Sequence, residues 1–144
     1  MILVDANILL YAHDKAATQH DAARRWIEGA VTRREELAFG WVTLLAFLRL
    51  STNPRIYPRA IPMREAVQIL DAYLSRSHVF RLDPTVNHWK VLRELCHSAQ
   101  ITSRLVTDAH LAALAIEHGA ALCSSDRDFT RFPGLRIVNP LAGA

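Results

Sequence analysis

Residues 1–14 read MILVDANILLYAHD, and the fifth of them interrupts an otherwise apolar run. Residues 2–5 have the length of a short strand, and Ala6 to His13 carry apolar residues at helical spacing. The reading is strand, sharp join, helix, with Asp5 at the join. A carboxylate taken out of water without a partner is costly, so Asp5 must be paired, coordinated or placed at a mouth that water reaches. No Lys or Arg precedes Lys15, so the partner has to come from elsewhere in the chain.

Further along, Asp21 to Ala30 put Ala22, Ala23, Trp26, Ile27 and Ala30 on one helical face, opposite Arg24, Arg25 and Glu28. After the charged TRREE (32–36) comes WVTLLAFLRL (41–50), polar only at Thr43 and Arg49; as a helix it would be buried nearly all round and end before Asn53-Pro54. Met63 to Ser75 repeat apolar pairs at helical spacing, and HVFRL (78–82) reads as a strand. Asp83-Pro84 predicts a helix start, with Asp as the cap, Pro in the first turn, and Trp89, Leu92, Leu95 and Cys96 facing inward. A helix from Thr107 is closed by Gly119, and AALCS (120–124) and LRIV (135–138) read as short strands.

Strands separated by helices predict an α/β protein: three α/β/α layers around a short, mainly parallel sheet. The 144 residues, 51% of them apolar, suit one domain spanning 1–144, with no repeat or Ser/Gly linker. Ligands of such sheets sit beyond the carboxyl ends of the strands. Asp5 ends the first strand, Asp126 and Asp128 follow AALCS, and Asp108 stands at a helix start, so all four belong to one edge.

Several carboxylates at one edge repel one another unless a cation intervenes. Mg²⁺ and Mn²⁺ prefer hard oxygen ligands, and a few Asp side chains suffice to hold one. Each acid also has a plainer reading. Asp108 suits a helix N-terminus, and Asp126 with Asp128 in SSDRDF (124–129) suits an Asx-type turn beside a solvated Arg127. Asp5 has no such excuse.

The net charge is +3, but 15 of the 17 cations are Arg, which suits phosphate or acidic-peptide contacts and follows equally from a GC-rich coding sequence. Cys96 and Cys123 have no metal-site spacing and read as reduced core thiols. The seven His residues form no ligand set: His110 and His118 are eight apart, and HExxH is absent. The first apolar run, broken at Asp5 with no basic region before it, does not read as a signal peptide, and no run reaches the roughly 20 apolar residues of a membrane span. A cytoplasmic protein with no membrane association is expected.

VDANILLYAHD (4–14), VTDAHLAALAIEHGA (106–120) and CSSDRDFTRFPGLRIVNP (123–140) together resemble the PIN-domain ribonucleases, in particular VapC-type toxins, over essentially the whole chain. The resemblance implies a metal-dependent endoribonuclease in which Asp5, Asp108 and Asp126 hold Mg²⁺ or Mn²⁺, with Asp128 as a further acid. The ion would activate a water and polarise the scissile phosphate, and a second ion about 4 Å away would stabilise the leaving oxygen. Asn7, Thr107 and Ser125 would orient ligands or waters, or serve only in turns and caps. An RNA substrate, a small VapB-type antitoxin and a homodimer are implied as well.

One departure is visible. The family commonly carries a Glu in the helix read here as WVTLLAFLRL, two residues before a basic residue, and that register falls on Phe47 before Arg49. Either Asp128 completes the site, or one metal alone binds firmly, or the register differs. Downstream, Arg49, Arg55, Arg59 and Arg64 are interleaved with Pro54, Tyr57, Pro58 and Pro62; Arg49, Arg55 and Arg59 could track RNA phosphates while Tyr57 stacks on a base. The loop could equally be solvated or meet an antitoxin's acidic tail. Two rival functions stay open. A haloacid-dehalogenase-like phosphatase also starts from an Asp after a strand but needs a second acid where Asn7 stands. A PIN-like RNA-binding or regulatory module would lack cleavage.

Overall fold

Leu3 and Val4, both without exposed surface, lie in the central strand of a five-stranded sheet; the computed structural model describes residues 1–143. The strands are β1 (Ile2–Val4), β2 (Leu37–Gly40), β3 (Val79–Leu82), β4 (Ala121–Cys123) and β5 (Ile137–Val138). All pair in parallel, in the order β3-β2-β1-β4-β5. Helices cover both faces. On one side α1 (Ala6–His13), α2 (His20–Thr32), α3 (Trp41–Ser51) and α4 (Met63–Leu74) pack on Val4, Leu37 and Phe39. On the other, α5 (His88–Ser98) and α6 (Val106–Glu117) pack on Leu3, Ala38 and Leu122. Successive strand residues thus feed opposite cores, as the two-residue period of a strand requires. This is the expected three-layer α/β/α arrangement, with a sheet wholly rather than mainly parallel.

The chain departs from its sequence reading in four places. β2 lies between TRREE and WVTLLAFLRL, where no strand was expected. Its four residues are all buried, so the polar alternation that betrays a one-sided strand is missing. α3 is helical but not buried all round: Thr43, Leu44 and Phe47 face inward, while Leu45 is 58% exposed. Asp83 caps nothing. β3 ends at Leu82, the chain crosses to the helical layer, and α5 starts only at His88. The Asp83 carboxylate instead accepts from Trp41 Nε1 at 2.8 Å. Trp89, expected inside, is 69% exposed. The inward row of α5 is occupied by His88, Leu92 and Leu95, and Trp89 sits a helical step of about 100° from His88.

His88 also shows what the histidines do. Its Nδ1 lies 3.0 Å from Glu117 Oε2 and its Nε2 lies 2.9 Å from His110 Nδ1, while the Thr85 N–H donates to Glu117 Oε1 at 3.0 Å. This chain of polar contacts pins α5 to α6, and the Glu117 side chain is almost fully enclosed. Burial first, then His88, lowers the His110 pKa. Gly119 closes α6 at φ 65°, the left-handed conformation expected there. Cys123 is buried and Cys96 half-buried, both as free thiols. Among the described residues no helix is long and apolar enough to cross a membrane.

Candidate metal centre

β1 ends where α1 begins, and Asp5 occupies the join with an extended backbone (φ −77°, ψ 150°). Its N–H donates to the Cys123 carbonyl at 3.0 Å, which ties the ends of β1 and β4 together. The carboxylate does not cap α1. It receives instead the Ser124 hydroxyl hydrogen at 2.8 Å on Oδ2. Burial raises the Asp5 pKa, the Ser124 hydrogen bond opposes that, and the Asp126 charge adds to it.

Ser124 is the hub that the sequence reading missed, since only its neighbour Ser125 was singled out. It is buried just after β4, and its Oγ accepts from the Asp126 N–H at 3.0 Å and from Asn7 Nδ2 at 3.4 Å while donating to Asp5. A serine hydroxyl has one hydrogen and two acceptor sites, so all three are used. Asn7 must therefore turn its NH₂ toward the serines, and the same nitrogen reaches Ser125 Oγ at 3.3 Å. Its Oδ1 is left buried without a partner among the described residues. Thr107 is exposed and has no side-chain hydrogen bond among the described residues.

Asp108 sits in the first turn of α6 and Asp126 and Asp128 follow β4; each offers a carboxylate oxygen, and these three atoms lie within 4.8 Å of one another. Asp5 stands behind this triangle, near enough for its charge to act on Asp108. Burial first, then the charges of Asp126, Asp5 and Asp128, push the Asp108 pKa up to about 6. Asp126 does form the Asx turn: its Oδ1 accepts from the Asp128 N–H at 2.8 Å, which leaves Oδ2 for other work.

Arginines neutralise one of these acids, Asp128. Arg104 Nη1 reaches Asp128 Oδ2 at 2.9 Å, and Arg131 Nη2 reaches Oδ1 at 3.2 Å. Arg104 foremost holds the Asp128 carboxyl below the usual carboxylate range. Opposed in this way, Asp128 differs from Asp108, Asp126 and Asp5, whose oxygens meet no cation within ion-pair distance among the described residues.

Phe47 is far from these acids in role. It has no exposed surface and meets His13 edge-on at 5.8 Å, in the core on the α1 side. On α3 the Thr43 hydroxyl donates to the Val4 carbonyl at 3.0 Å, just before Asp5, and Val42 packs with the core that includes Leu111 and Leu114 of α6. Ala46, four residues after Val42 and three after Thr43, continues that row. Arg49, Arg55 and Arg59 are exposed and have no acidic partner among the described residues, whereas Tyr57 is half-buried against the α1-side core.

The donor set is all oxygen and mostly anionic, and a divalent cation would relieve the repulsion that raises the Asp108 pKa, so these residues fit a hard ion such as Mg²⁺ or Mn²⁺. Sequence comparison gives the PIN domain over residues 2–135. The chain is 40% identical over 142 residues to Ribonuclease VapC37 of Mycobacterium tuberculosis, covering 99% of each. The fold matches VapBC2 of Rickettsia felis, solved bound to a promoter DNA fragment, with TM-score 0.69 at 20% identity over 96% of this chain and 98% of that one. It also matches M. tuberculosis VapC20, described as a sarcin-ricin loop cleaving toxin, with TM-score 0.65 at 18% identity over 94% and 99%.

Proposed function

The chain belongs to the PIN-domain family, and from that premise we propose that it is a divalent-metal-dependent endoribonuclease, the toxin of a toxin–antitoxin pair. The observation that carries this reading is the carboxylate triangle with Asp108 pushed up to about 6, an arrangement unfavourable to the empty fold and suited to a bound cation. Asp5, Asp108 and Asp126 would hold Mg²⁺ or Mn²⁺, with Asp128, whose oxygen shares the triangle with those of Asp108 and Asp126, as the further acid. When bound, the ion supplies Lewis acidity at the phosphate and activation of the attacking water.

The chain's own residues do the rest. Ser124 fixes the Asp5 oxygens, and the amide of Asn7, locked by Ser124 and Ser125, aims a buried carbonyl oxygen that can accept a hydrogen from a water. Asp126 keeps one oxygen in its turn and commits the other to the site. The exposed Arg49, Arg55 and Arg59 follow the RNA backbone, and Tyr57 supports that loop by packing on the core. The partner is a small VapB-type antitoxin, and the protein works as a cytoplasmic homodimer built from one domain.

The phosphatase reading is weaker, because the second acid it needs is Asn7, whose amide is engaged by two serines. Purified protein should cut RNA with Mg²⁺ or Mn²⁺ and stop when the ion is chelated. Cleavage unaffected by chelator overturns the metal reading. RNA binding without cleavage in either ion leaves a regulatory module instead.

A further inference from the structure

Two arginines meet Asp128, and they are held very differently. Arg131 is fixed twice on the same turn, with Nε donating to the Asp128 carbonyl at 3.1 Å and Nη2 to Oδ1 at 3.2 Å. Arg104 comes from the 3-10 turn Ser103–Leu105 ahead of α6, is 69% exposed, and makes one side-chain hydrogen bond among the described residues, Nη1 to Asp128 Oδ2 at 2.9 Å. A guanidinium has five N–H donors in a planar fork, so most of those of Arg104 are unused by the protein. Arg104 is also four residues before Asp108, which sets its side chain over the same end of α6.

We propose that Arg104 is a substrate-binding residue that exchanges Asp128 for a phosphate oxygen of the RNA beside the scissile bond. This rests on the endoribonuclease reading. A phosphodiester approaching Asp5, Asp108 and Asp126 meets a strongly acidic surface, and a cation at the rim offsets that repulsion. An exposed ion pair is a weak bond and readily exchanged, whereas Arg–phosphate contacts form two parallel hydrogen bonds. The exchange frees Asp128 Oδ2, while Arg131 keeps that carboxylate in position through Oδ1. One residue thus holds the rim in the empty enzyme and binds the backbone in the loaded one.

The test uses a labelled single-stranded RNA that the parent protein cuts, with binding read by fluorescence anisotropy in Mn²⁺ on an Asp5→Asn background that does not cut. Adding Arg104→Ala should weaken binding roughly tenfold and make the log–log salt dependence shallower by about 0.7 to 1. Arg104→Lys, which keeps the charge without the fork, should restore the salt slope but only part of the affinity. In the cutting protein, Arg104→Ala should raise KM more than it lowers kcat. An unchanged affinity and slope overturn the proposal and reduce Arg104 to an ion-pair partner of Asp128. Should the parent cut no RNA at all, the endoribonuclease reading fails first, which is a separate result.

Discussion

Ser124 Oγ donates to Asp5 Oδ2 across 2.8 Å, joining the loop after β4 to the end of β1 through a single buried hydroxyl. That bond lowers the Asp5 pKa against the burial that raises it. Ser124→Ala therefore raises the Asp5 pKa further. Because the ionised carboxylate is the working form, the acid limb of the pH–rate profile should move to higher pH, and the maximal rate should fall at least about tenfold. The orphaned Asp126 N–H should cost about 1–3 kcal/mol of stability, while the Asn7 amide keeps its bond to Ser125. A pH profile that does not move would mean that Asp5 is not the group limiting the rate.

The α3 helix separates two neighbouring positions sharply. Phe47 is enclosed in the α1-side core, so Phe47→Glu buries an unpaired carboxylate and should destabilise the fold by more than about 3 kcal/mol. Ala46 stands one helical turn after Val42 and Thr43, and Thr43 bonds the Val4 carbonyl just before Asp5. Ala46→Glu should fold and should enlarge the rise in Tm produced by Mn²⁺. Equal loss of stability in both variants would place Ala46 in the core as well.

These two positions show where the sequence was legible. The strand–Asp–helix join at residues 2–13 and the acids at 108, 126 and 128 could be read because each is local: a short apolar run, a helix start, a turn. The helical carboxylate register on Phe47 could not, since which side of α3 faces the acids is fixed only by packing against α1 and α6. Ser124 was hidden for a similar reason. Nothing in CSSD distinguishes the serine that points at Asp5 from the one that does not, and the contact spans 119 residues. Arg104, 24 residues from Asp128, likewise meets it only in the fold.

Glu117 should be the costliest polar residue outside the acid cluster. It accepts from the Thr85 N–H and contacts His88 Nδ1, and its removal leaves that N–H and that ring nitrogen without a partner beneath α5, while His88 Nε2 keeps its contact with His110. At about 1–3 kcal/mol for each orphaned group, Glu117→Ala should lower stability by at least about 2 kcal/mol in urea unfolding. His110→Ala breaks only the outer contact and should cost less. The reverse order would show that the His88–His110 contact carries the α5–α6 packing.

Arg55 and Arg59 are exposed beyond the end of α3, with no acid within ion-pair distance among the described residues. If both track RNA phosphates, Arg55→Ala with Arg59→Ala should make the salt dependence of RNA binding shallower by about 1.4 to 2. Normal RNA binding together with impaired antitoxin binding would assign the loop to the protein partner.

Asp108→Asn tests the carboxylate cluster through stability rather than rate. The Asp108 carboxyl titrates at about 6 in the fold against an ordinary 3.8, because burial and the charges of Asp126, Asp5 and Asp128 disfavour its ionised form. The folded state thus holds this proton more tightly than the unfolded chain. Its contribution favours folding below about pH 4, declines as pH rises through 4 to 6, and above that window is a constant penalty. Asparagine keeps the shape and cannot ionise. Without metal, parent and variant should therefore melt alike near about pH 4, and above about pH 6 the variant should be the more stable. The site is partly open, so screening limits the gain to the order of 1 kcal/mol. The lost interaction with the N-terminus of α6 opposes it by roughly 0.3–1 kcal/mol. Saturating Mn²⁺ should reverse the ranking, raising the Tm of the parent by binding its folded state and doing so much less for the variant. The measurement is a set of melting curves at about pH 4.5 and 7.5, each with chelator and with Mn²⁺. An equal metal-induced shift in both proteins would remove Asp108 from the ligand set. A variant less stable than the parent at the higher pH without metal would return Asp108 to a helix-start role.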